Sequence, residues 1–204
     1  MKDHSFAFVT EMPGNRVTPE QLNMIACRYA WAADLVEGLD VLEVACGPGL
    51  GLGHLASRAR RVTGGDYDAE CLRISRTHYR ERLPITRFDA QSLPYTAAQF
   101  DAVIMFEAIY YLSDVNVFLS ECRRVLRPGG MLLLTLPNRD WPGFSRSPQS
   151  YHYFSPPELA ALGDRHGFAV EVHGTYRQDG ITLRQQILGV IRRTVTKLGL
   201  VPTG

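Results

Sequence analysis

Three acidic residues stand in or just after three short apolar runs, spaced along the first half of the chain. Glu43 lies within Val41-Leu42-Glu43-Val44-Ala45, Asp66 closes Val62-Thr63-Gly64-Gly65-Asp66, and Asp89 follows the run from Pro84 to Phe88. A carboxylate at the end of a strand can accept hydrogen bonds from ribose hydroxyls, or from the exocyclic amine of a purine. After the first run comes a glycine-rich turn, Ala45-Cys46-Gly47-Pro48-Gly49-Leu50-Gly51. Glycines there admit positive φ and let the backbone approach a ligand without a Cβ in the way. The turn alone would equally suit a tight strand-to-helix connection. Three acids converging on one cleft are harder to read as solvated decoration.

Two rival phosphate-binding patterns fail. A dinucleotide fingerprint starting at Gly47 meets Leu52 where its third glycine belongs, and one starting at Gly49 meets His54. The looser match from Gly51 to Ala56 lies too far past the strand to open a helix. No Gly-Lys-Ser or Gly-Lys-Thr occurs, which excludes a P-loop.

These residues need elements that carry them to one edge. Thr18-Pro19-Glu20-Gln21 is a helix start with a capping box and Pro at the first turn, followed by Leu22, Ile25, Tyr29, Ala32 and Leu35 at helical spacing. Strands are expected at 41–45, 61–65, 84–88, 100–106, 130–136 and 168–172. Helices are expected at about 50–59, 68–80, 114–126 and 155–166. Alternation of this kind predicts an α/β fold, a doubly wound and mostly parallel sheet with helices on both faces. In such sheets ligands sit outside the carboxyl ends of the strands. The loop from Pro137 to Ser155, rich in aromatics, falls at that edge and is marked for a role.

Composition sets outer bounds. The chain has 204 residues, 45% hydrophobic and 21% charged, with 22 Lys and Arg against 21 Asp and Glu. That is one domain's worth of globular sequence, with no charge excess for broad nucleic-acid binding. No apolar run reaches transmembrane length and the first residues lack a signal-peptide core, so a cytoplasmic location without integral membrane association is expected. Cys27, Cys46, Cys71 and Cys122 lie too far apart for a CxxC pair, and no histidine has acidic partners at ligand spacing, so no metal is expected. Three of the cysteines read as small buried thiols. Cys46, inside the glycine turn, is a candidate for ligand contact.

In this order, five motifs resemble the class I S-adenosylmethionine-dependent methyltransferases, in the small-molecule branch that includes quinone-biosynthesis enzymes. They are Leu42-Glu43-Val44-Ala45-Cys46-Gly47-Pro48-Gly49, Gly65-Asp66, Asp89-Ala90 with Leu93-Pro94-Tyr95, Phe100-Asp101, and Val125-Leu126-Arg127-Pro128-Gly129-Gly130. The likeness runs from about Arg28 to Val172. It departs at Ala45, where the family usually has glycine. The resemblance implies a Rossmann-like fold with S-adenosylmethionine as cofactor and S-adenosylhomocysteine as product. Glu43 would organise the loop and the methionine amino end, and Ala45, Gly47 and Gly49 would bring backbone to the methionine moiety. Asp66 would hold the ribose, Tyr67 would pack on adenine, Asp89 would accept from its amine, and the Ala90 backbone would lie beside it. Glu107 would flank the methionine portion mainly through backbone, and Arg28-Tyr29 in the first helix would cover the cofactor.

The same resemblance frames the substrate side. Methyl transfer needs mainly alignment, but an alcohol nucleophile must also lose its proton. Family members often carry histidines at the positions of Tyr110 and Tyr111. The tyrosines are candidate catalytic residues here, although a phenol near pKa 10 is a poor base. His152 is the other candidate, since a neutral imidazole suits a general base. The turn Phe106-Glu107-Ala108-Ile109 lacks the Asn/Asp-Pro-Pro-aromatic pattern of DNA amino-methylating enzymes, so no nucleic-acid partner is expected. The expected acceptor is a small molecule methylated at oxygen, with a sugar or sugar nucleotide as first guess. Nitrogen transfer, a quinone-like or secondary metabolite, and a cofactor-binding regulatory module without transferase activity are the alternatives.

Residues 1–180 are expected to form the cofactor-binding domain, with a helical cap at about 18–37. Residues 181–204 read as a basic amphipathic helix, with Ile181, Leu183, Ile187, Leu188, Ile191, Val195 and Leu198 on one side and Arg184, Arg192, Arg193 and Lys197 on the other. That helix would pack on the domain, against a second copy or on an anionic membrane surface, so a homodimer is an open expectation. Because the family's seventh strand finds no counterpart before Gly204, the natural protein is expected to continue beyond it.

Overall fold

A computed structural model describes residues 12, 14, 17–141 and 144–174. Five parallel strands form one sheet: β1 (Asp40–Val44), β2 (Arg61–Asp66), β3 (Ile85–Arg87), β4 (Phe100–Phe106) and β5 (Leu126–Thr135). Their spatial order is β3-β2-β1-β4-β5, so the chain starts in the middle, winds outward to β3 and then crosses to the other side. The crossing point lies between β1 and β4, where a parallel sheet opens a crevice at its carboxyl edge. Helices α1 (Pro19–Leu35), α2 (Leu52–Ala56), α3 (Ala69–Tyr79), α4 (Val115–Val125) and α5 (Pro156–Arg165) flank it.

Alternation along the two central strands explains the two layers. Val41, Ala102, Ile104 and Phe106 face a cluster with Tyr29, Ala32, Ala33 and Val36 around α1, Leu52 and Leu55 of α2, and Leu72 of α3. Leu42, Val44, Val103 and Met105 face the other cluster, with Phe118, Leu119, Cys122 and Val125 of α4 and Leu162 of α5. Successive strand side chains point to opposite faces, so Glu43, between Leu42 and Val44, must point toward α1.

Both expected capping boxes form. Thr18 N–H donates to Gln21 Oε1 at 2.8 Å while Gln21 N–H donates to Thr18 Oγ1 at 3.2 Å. At α5, Ser155 N–H donates to Glu158 Oε2 at 2.6 Å, and Gly167, at φ +73°, ends the helix in the left-handed conformation a C-terminal glycine supplies.

Three expectations are corrected. Leu22 and Leu35 are 54% and 41% exposed, because α1 packs through the face that carries Arg28, Tyr29, Ala32 and Ala33. Strand β5 begins at Leu126 rather than Gly130; its pairing with β4 slips between Phe100 and Ala102, where Gly129 at φ +79° lets the strand bulge. Residues 168–172 form no strand. The Phe168 N–H turns back to the Gly163 carbonyl at 2.9 Å to finish α5, and no described strand pairs with the residues that follow. The expected helix at 181–204, and the missing seventh strand with it, lie outside the described residues.

Candidate active site

A cleft of about 520 Å³ opens at the carboxyl edge, lined from one side by Ala45, Cys46, Gly47, Asp66, Tyr67, Asp89 and Ala90, and from the other by Glu107, Tyr110, Tyr111 and Tyr151. Arg28 and Tyr29 of α1 lie along it. A larger open groove of about 1250 Å³ runs on the far side of Gly49 against α3. It holds none of the strand-end acids.

The loop after β1 is shaped by backbone conformation. Ala45 at φ +58° and Gly47 at φ +55° are both left-handed. An alanine there carries strain that a glycine would not, on the order of 1 kcal/mol. Cys46 N–H donates to the Gly65 carbonyl at 3.0 Å, tying the loop to β2. Burial pushes the Cys46 thiol well above its ordinary pKa, which makes it an inert wall rather than a reactive group.

Asp66 is committed more deeply than its sequence position suggested. Its Oδ2 accepts from Gly47 N–H at 2.8 Å and its Oδ1 from Asp68 N–H at 2.8 Å. The carboxylate therefore braces the glycine loop as well as facing the cleft. Burial raises its pKa against these hydrogen bonds. Tyr67 is held by Arg87, whose Nε donates to the Tyr67 carbonyl at 3.0 Å and whose guanidinium lies 5.8 Å from the ring centroid. The Asp89 Oδ1 accepts from Gln91 N–H at 2.8 Å, a local turn at the end of β3. Gln91 in turn accepts from Ser113 Oγ and Asp114 N–H, at 3.0 and 2.7 Å. Neither Arg87 nor Gln91 carried a sequence signal.

Glu43 sits beneath the cleft rather than in its lining, at 1% exposure. Tyr29 OH donates to its Oε1 at 2.6 Å, and its Oε2 is buried with no hydrogen-bond partner among the described residues. Burial pushes its carboxyl up to about 7, against the opposing pull of the Tyr29 hydrogen bond and the Arg28 charge. Tyr29 also lies flat against the loop. A Cβ on Gly51 would come 1.8 Å from its ring, so glycine is required there for packing. Gly49, by contrast, turns away from the cleft, with the Ser75 and Tyr79 side chains where its Cβ would be, and Tyr79 OH donating to its carbonyl at 2.7 Å.

On the other side Glu107 follows β4 at φ +52°, with its N–H donating to the Thr135 carbonyl at 2.9 Å. Its carboxylate lies 3.9 Å from Arg28 Nη1 and accepts from Tyr110 OH at 3.2 Å. Tyr110 is stacked on Tyr153 at 4.4 Å between centroids. Burial and the Glu107 charge push the phenols of Tyr110 and Tyr111 upward, with burial dominant, so both are neutral donors and neither fits the role of a base.

His152 is the residue the structure removes from the site. Its ring is about half exposed, its Nε2 meets Glu158 Oε1 at 3.2 Å, and it lies outside the cleft lining. The α5 capping box draws it away, because Glu158 is fixed there by Ser155 and by Arg139 at 2.8 Å. Its neighbour Tyr151 takes the place, 62% exposed at the cleft mouth. Tyr151 N–H donates to the Tyr110 carbonyl at 2.8 Å, and Arg146 Nη2 donates to the Ser150 carbonyl at 2.8 Å. The aromatic content of the 137–155 loop was the only hint of this.

Residues 42–134 match the family model described as "Methyltransferase domain". Residues 42–134 thus carry a methyltransferase domain. A Mycolicibacterium smegmatis protein named "Probable S-adenosylmethionine-dependent methyltransferase" is 40% identical over 147 residues, covering 70% of this chain and 57% of that protein. The "Fatty-acid O-methyltransferase" of the same organism is 40% identical over 117 residues, covering 55% of this chain and 43% of that one. This chain thus spans about half the length of these curated relatives. Among solved structures, the YcgJ protein of Bacillus subtilis superposes with a TM-score of 0.68, at 17% identity, over 86% of this chain and 85% of that one, and shares its fold.

The domain's cofactor is S-adenosylmethionine, and the residues present fit it. The left-handed Gly47 leaves a cradle without a Cβ, acids stand at successive strand ends, and the tyrosine at 67 presents a braced ring. Among the described residues no three His, Cys, Asp or Glu side chains gather as metal ligands, and no helix is long and apolar enough to cross a membrane.

Proposed function

We propose that the protein transfers a methyl group to a hydroxyl oxygen of a small acceptor. The observation that carries this reading is a single cleft that takes in both a nucleoside-type half, with Asp66, Tyr67, Asp89 and Ala90, and an aromatic half, with Tyr110, Tyr111 and Tyr151. When bound, the cofactor supplies an electrophilic methyl group on a positively charged sulfur. Asp66 and Asp89 would hold the ribose and the adenine amine, Tyr67 would cover the base, and Gly47 would bring backbone to the methionine end. Arg28 would meet its carboxylate, and Glu43 would support the loop from below through Tyr29. Tyr110, Tyr111 and Tyr151 would orient the acceptor, an alignment that can supply roughly 7–11 kcal/mol of the barrier at best.

The cleft lining also includes Met24, Leu50 and Leu112, all apolar. They favour an acceptor with an aromatic or hydrocarbon body over the sugar suggested by sequence, and the fatty-acid relative's name supports transfer to oxygen. A dimer and a cytoplasmic location stay proposals on the sequence reading alone.

The test is incubation with methyl-labelled S-adenosylmethionine and three acceptors: 3,4-dihydroxybenzoate, oleate and glucose. Calorimetry with S-adenosylhomocysteine runs alongside. Label is expected in the methyl ether of the dihydroxybenzoate. Tight binding of S-adenosylhomocysteine with no transfer to any acceptor would instead favour a cofactor-binding regulatory module.

A further inference from the structure

The glycine loop is held from behind by a residue that does not reach the cleft. Tyr79, the last residue of α3, lines the groove on the far side of Gly49 and is not among the residues that line the cleft. Its hydroxyl donates to the Gly49 carbonyl at 2.7 Å and accepts from Gly53 N–H at 2.9 Å, 30 and 26 residues back along the chain. One oxygen thus ties the end of the loop to the first turn of α2. Burial raises the pKa of the phenol, so the hydroxyl keeps the proton it donates.

The bond from Gly53 replaces one that α2 cannot make for itself. The first N–H groups of a helix have no partner within it, and a side chain at the N-cap ordinarily accepts from one of them. The N-cap of α2 is Gly51, which makes no side-chain cap, and the Tyr29 ring fills the place where its Cβ would be. Tyr79 supplies the missing acceptor from α3. Tyr29 of α1 and Tyr79 of α3 therefore both pack against residues 49–53. Tyr79 is itself braced. Arg82 donates to the His78 and Tyr79 carbonyls at 2.6 and 3.2 Å, and its guanidinium lies 5.9 Å from the Tyr79 ring centroid. The grip on Gly49 carries to Gly47, because Gly49 N–H donates to the Cys46 carbonyl at 2.9 Å and closes a turn with Gly47 inside it.

We propose that Tyr79 is a positioning residue for the cofactor: its hydroxyl, through these two hydrogen bonds, fixes where the loop backbone meets the amino-acid end of S-adenosylmethionine, without touching it. This rests on the reading above in which the glycine loop receives the methionine end. The nucleoside end, held by residues after β2 and β3, does not depend on this grip.

The test uses Tyr79→Phe, which keeps the ring beside Gly49 and loses both hydrogen bonds, and compares two ligands. S-adenosylhomocysteine carries the amino-acid end, and 5′-methylthioadenosine has the same nucleoside and sulfur without it. Calorimetry reads the first, and competition against the first reads the second. For the loss of two neutral hydrogen bonds, S-adenosylhomocysteine affinity is expected to fall about tenfold, and 5′-methylthioadenosine affinity to stay within about twofold. A thermal scan of the free variant reports its fold. Equal losses for the two ligands would overturn the proposal, because a general loosening of the protein weakens both alike. Unchanged affinity for S-adenosylhomocysteine would overturn it too, as would failure of the free variant to fold, which would assign the hydroxyl to stability. Wild type that bound the two ligands equally would fell the proposal together with the reading beneath it, since the amino-acid end would then gain nothing from the loop. That result is seen before any variant is made, and so differs from every outcome in which the proposal fails alone.

Discussion

Glu43 is the residue where chemistry and stability conflict most directly. Its carboxyl is pushed up from 4.5 to about 7 by burial. Between those values the folded protein keeps a proton that the unfolded chain has released, so stability is greatest below about 4.5 and declines as pH rises to about 7. At about 1.4 kcal/mol for each pH unit in the window, the decline is on the order of 3 kcal/mol. Glu43→Gln can still accept from Tyr29 OH and has no proton to lose. The prediction is that the variant gains on wild type as pH rises from 5 to 8, measured as the difference in urea midpoints at each pH. The difference isolates Glu43, because Asp66 is also raised and slopes both proteins alike. A constant difference across that range would mean that Glu43 ionises freely in the fold.

The edge of the sheet opposite the cleft is tied by a charge network on three strands. Arg127 of β5 meets Asp101 of β4 at 2.7 Å and Asp40 of β1 at 3.2 Å, while Arg60 reaches Asp40 at 2.6 Å. Asp40 N–H donates to Asp101 Oδ2 at 2.9 Å. Hydrogen bonds from Arg60 hold the Asp40 carboxyl below its usual range, and those from Arg127 do the same for Asp101. Arg127 keeps about a third of its side chain exposed, so solvent screening keeps its contribution small. Arg127→Ala should show a small drop in urea midpoint at pH 7. The lost stability belongs to ionised carboxylates, so it is present above about 3.8 and fades as pH falls through their lowered values. A deficit that persisted undiminished at pH 2.5 would point instead to the packing of the β4–β5 bulge.

For the whole molecule, ligand and fold are linked because the cleft is assembled from both halves of the sheet and from α1. S-adenosylhomocysteine at about 100 times its dissociation constant should stabilise the fold by about 2.7 kcal/mol. In a chain of this size that raises the melting temperature by about 5–10 °C. Asp66→Asn keeps most of the shape but changes the group that receives Gly47 N–H, so it should lower the melting temperature of the free protein and shrink the ligand-induced rise together. Scanning calorimetry reads both. A variant with an unchanged ligand-induced rise would confine Asp66 to bracing the loop.

Local signals in the chain were sufficient for most of the elements, but not for the start of β5 or for residues 168–172, which form no strand. Apolar runs of strand length, two capping boxes and a glycine turn act within a few residues of themselves. The acids at positions 66 and 89 line the cleft because a parallel sheet presents all its carboxyl ends on one edge. Glu43 was legible as a strand-end acid, but only packing put it under α1, buried and hard to ionise. What tertiary structure alone decided lies where distant segments compete for the same partner. His152 reads as a base until Glu158, fixed by its capping box, draws it out of the cleft. Tyr151 comes to the mouth because its N–H finds the Tyr110 carbonyl, 41 residues earlier in the chain. Residues 168–172 have the composition of a strand but find no described strand edge to pair with, and a strand without a ladder leaves its backbone hydrogen bonds to water or to a neighbouring helix end. The left-handed backbone at Glu107 had no sequence signal either. It is imposed by the Thr135 carbonyl of the adjacent strand, and so exists only once β4 and β5 are paired.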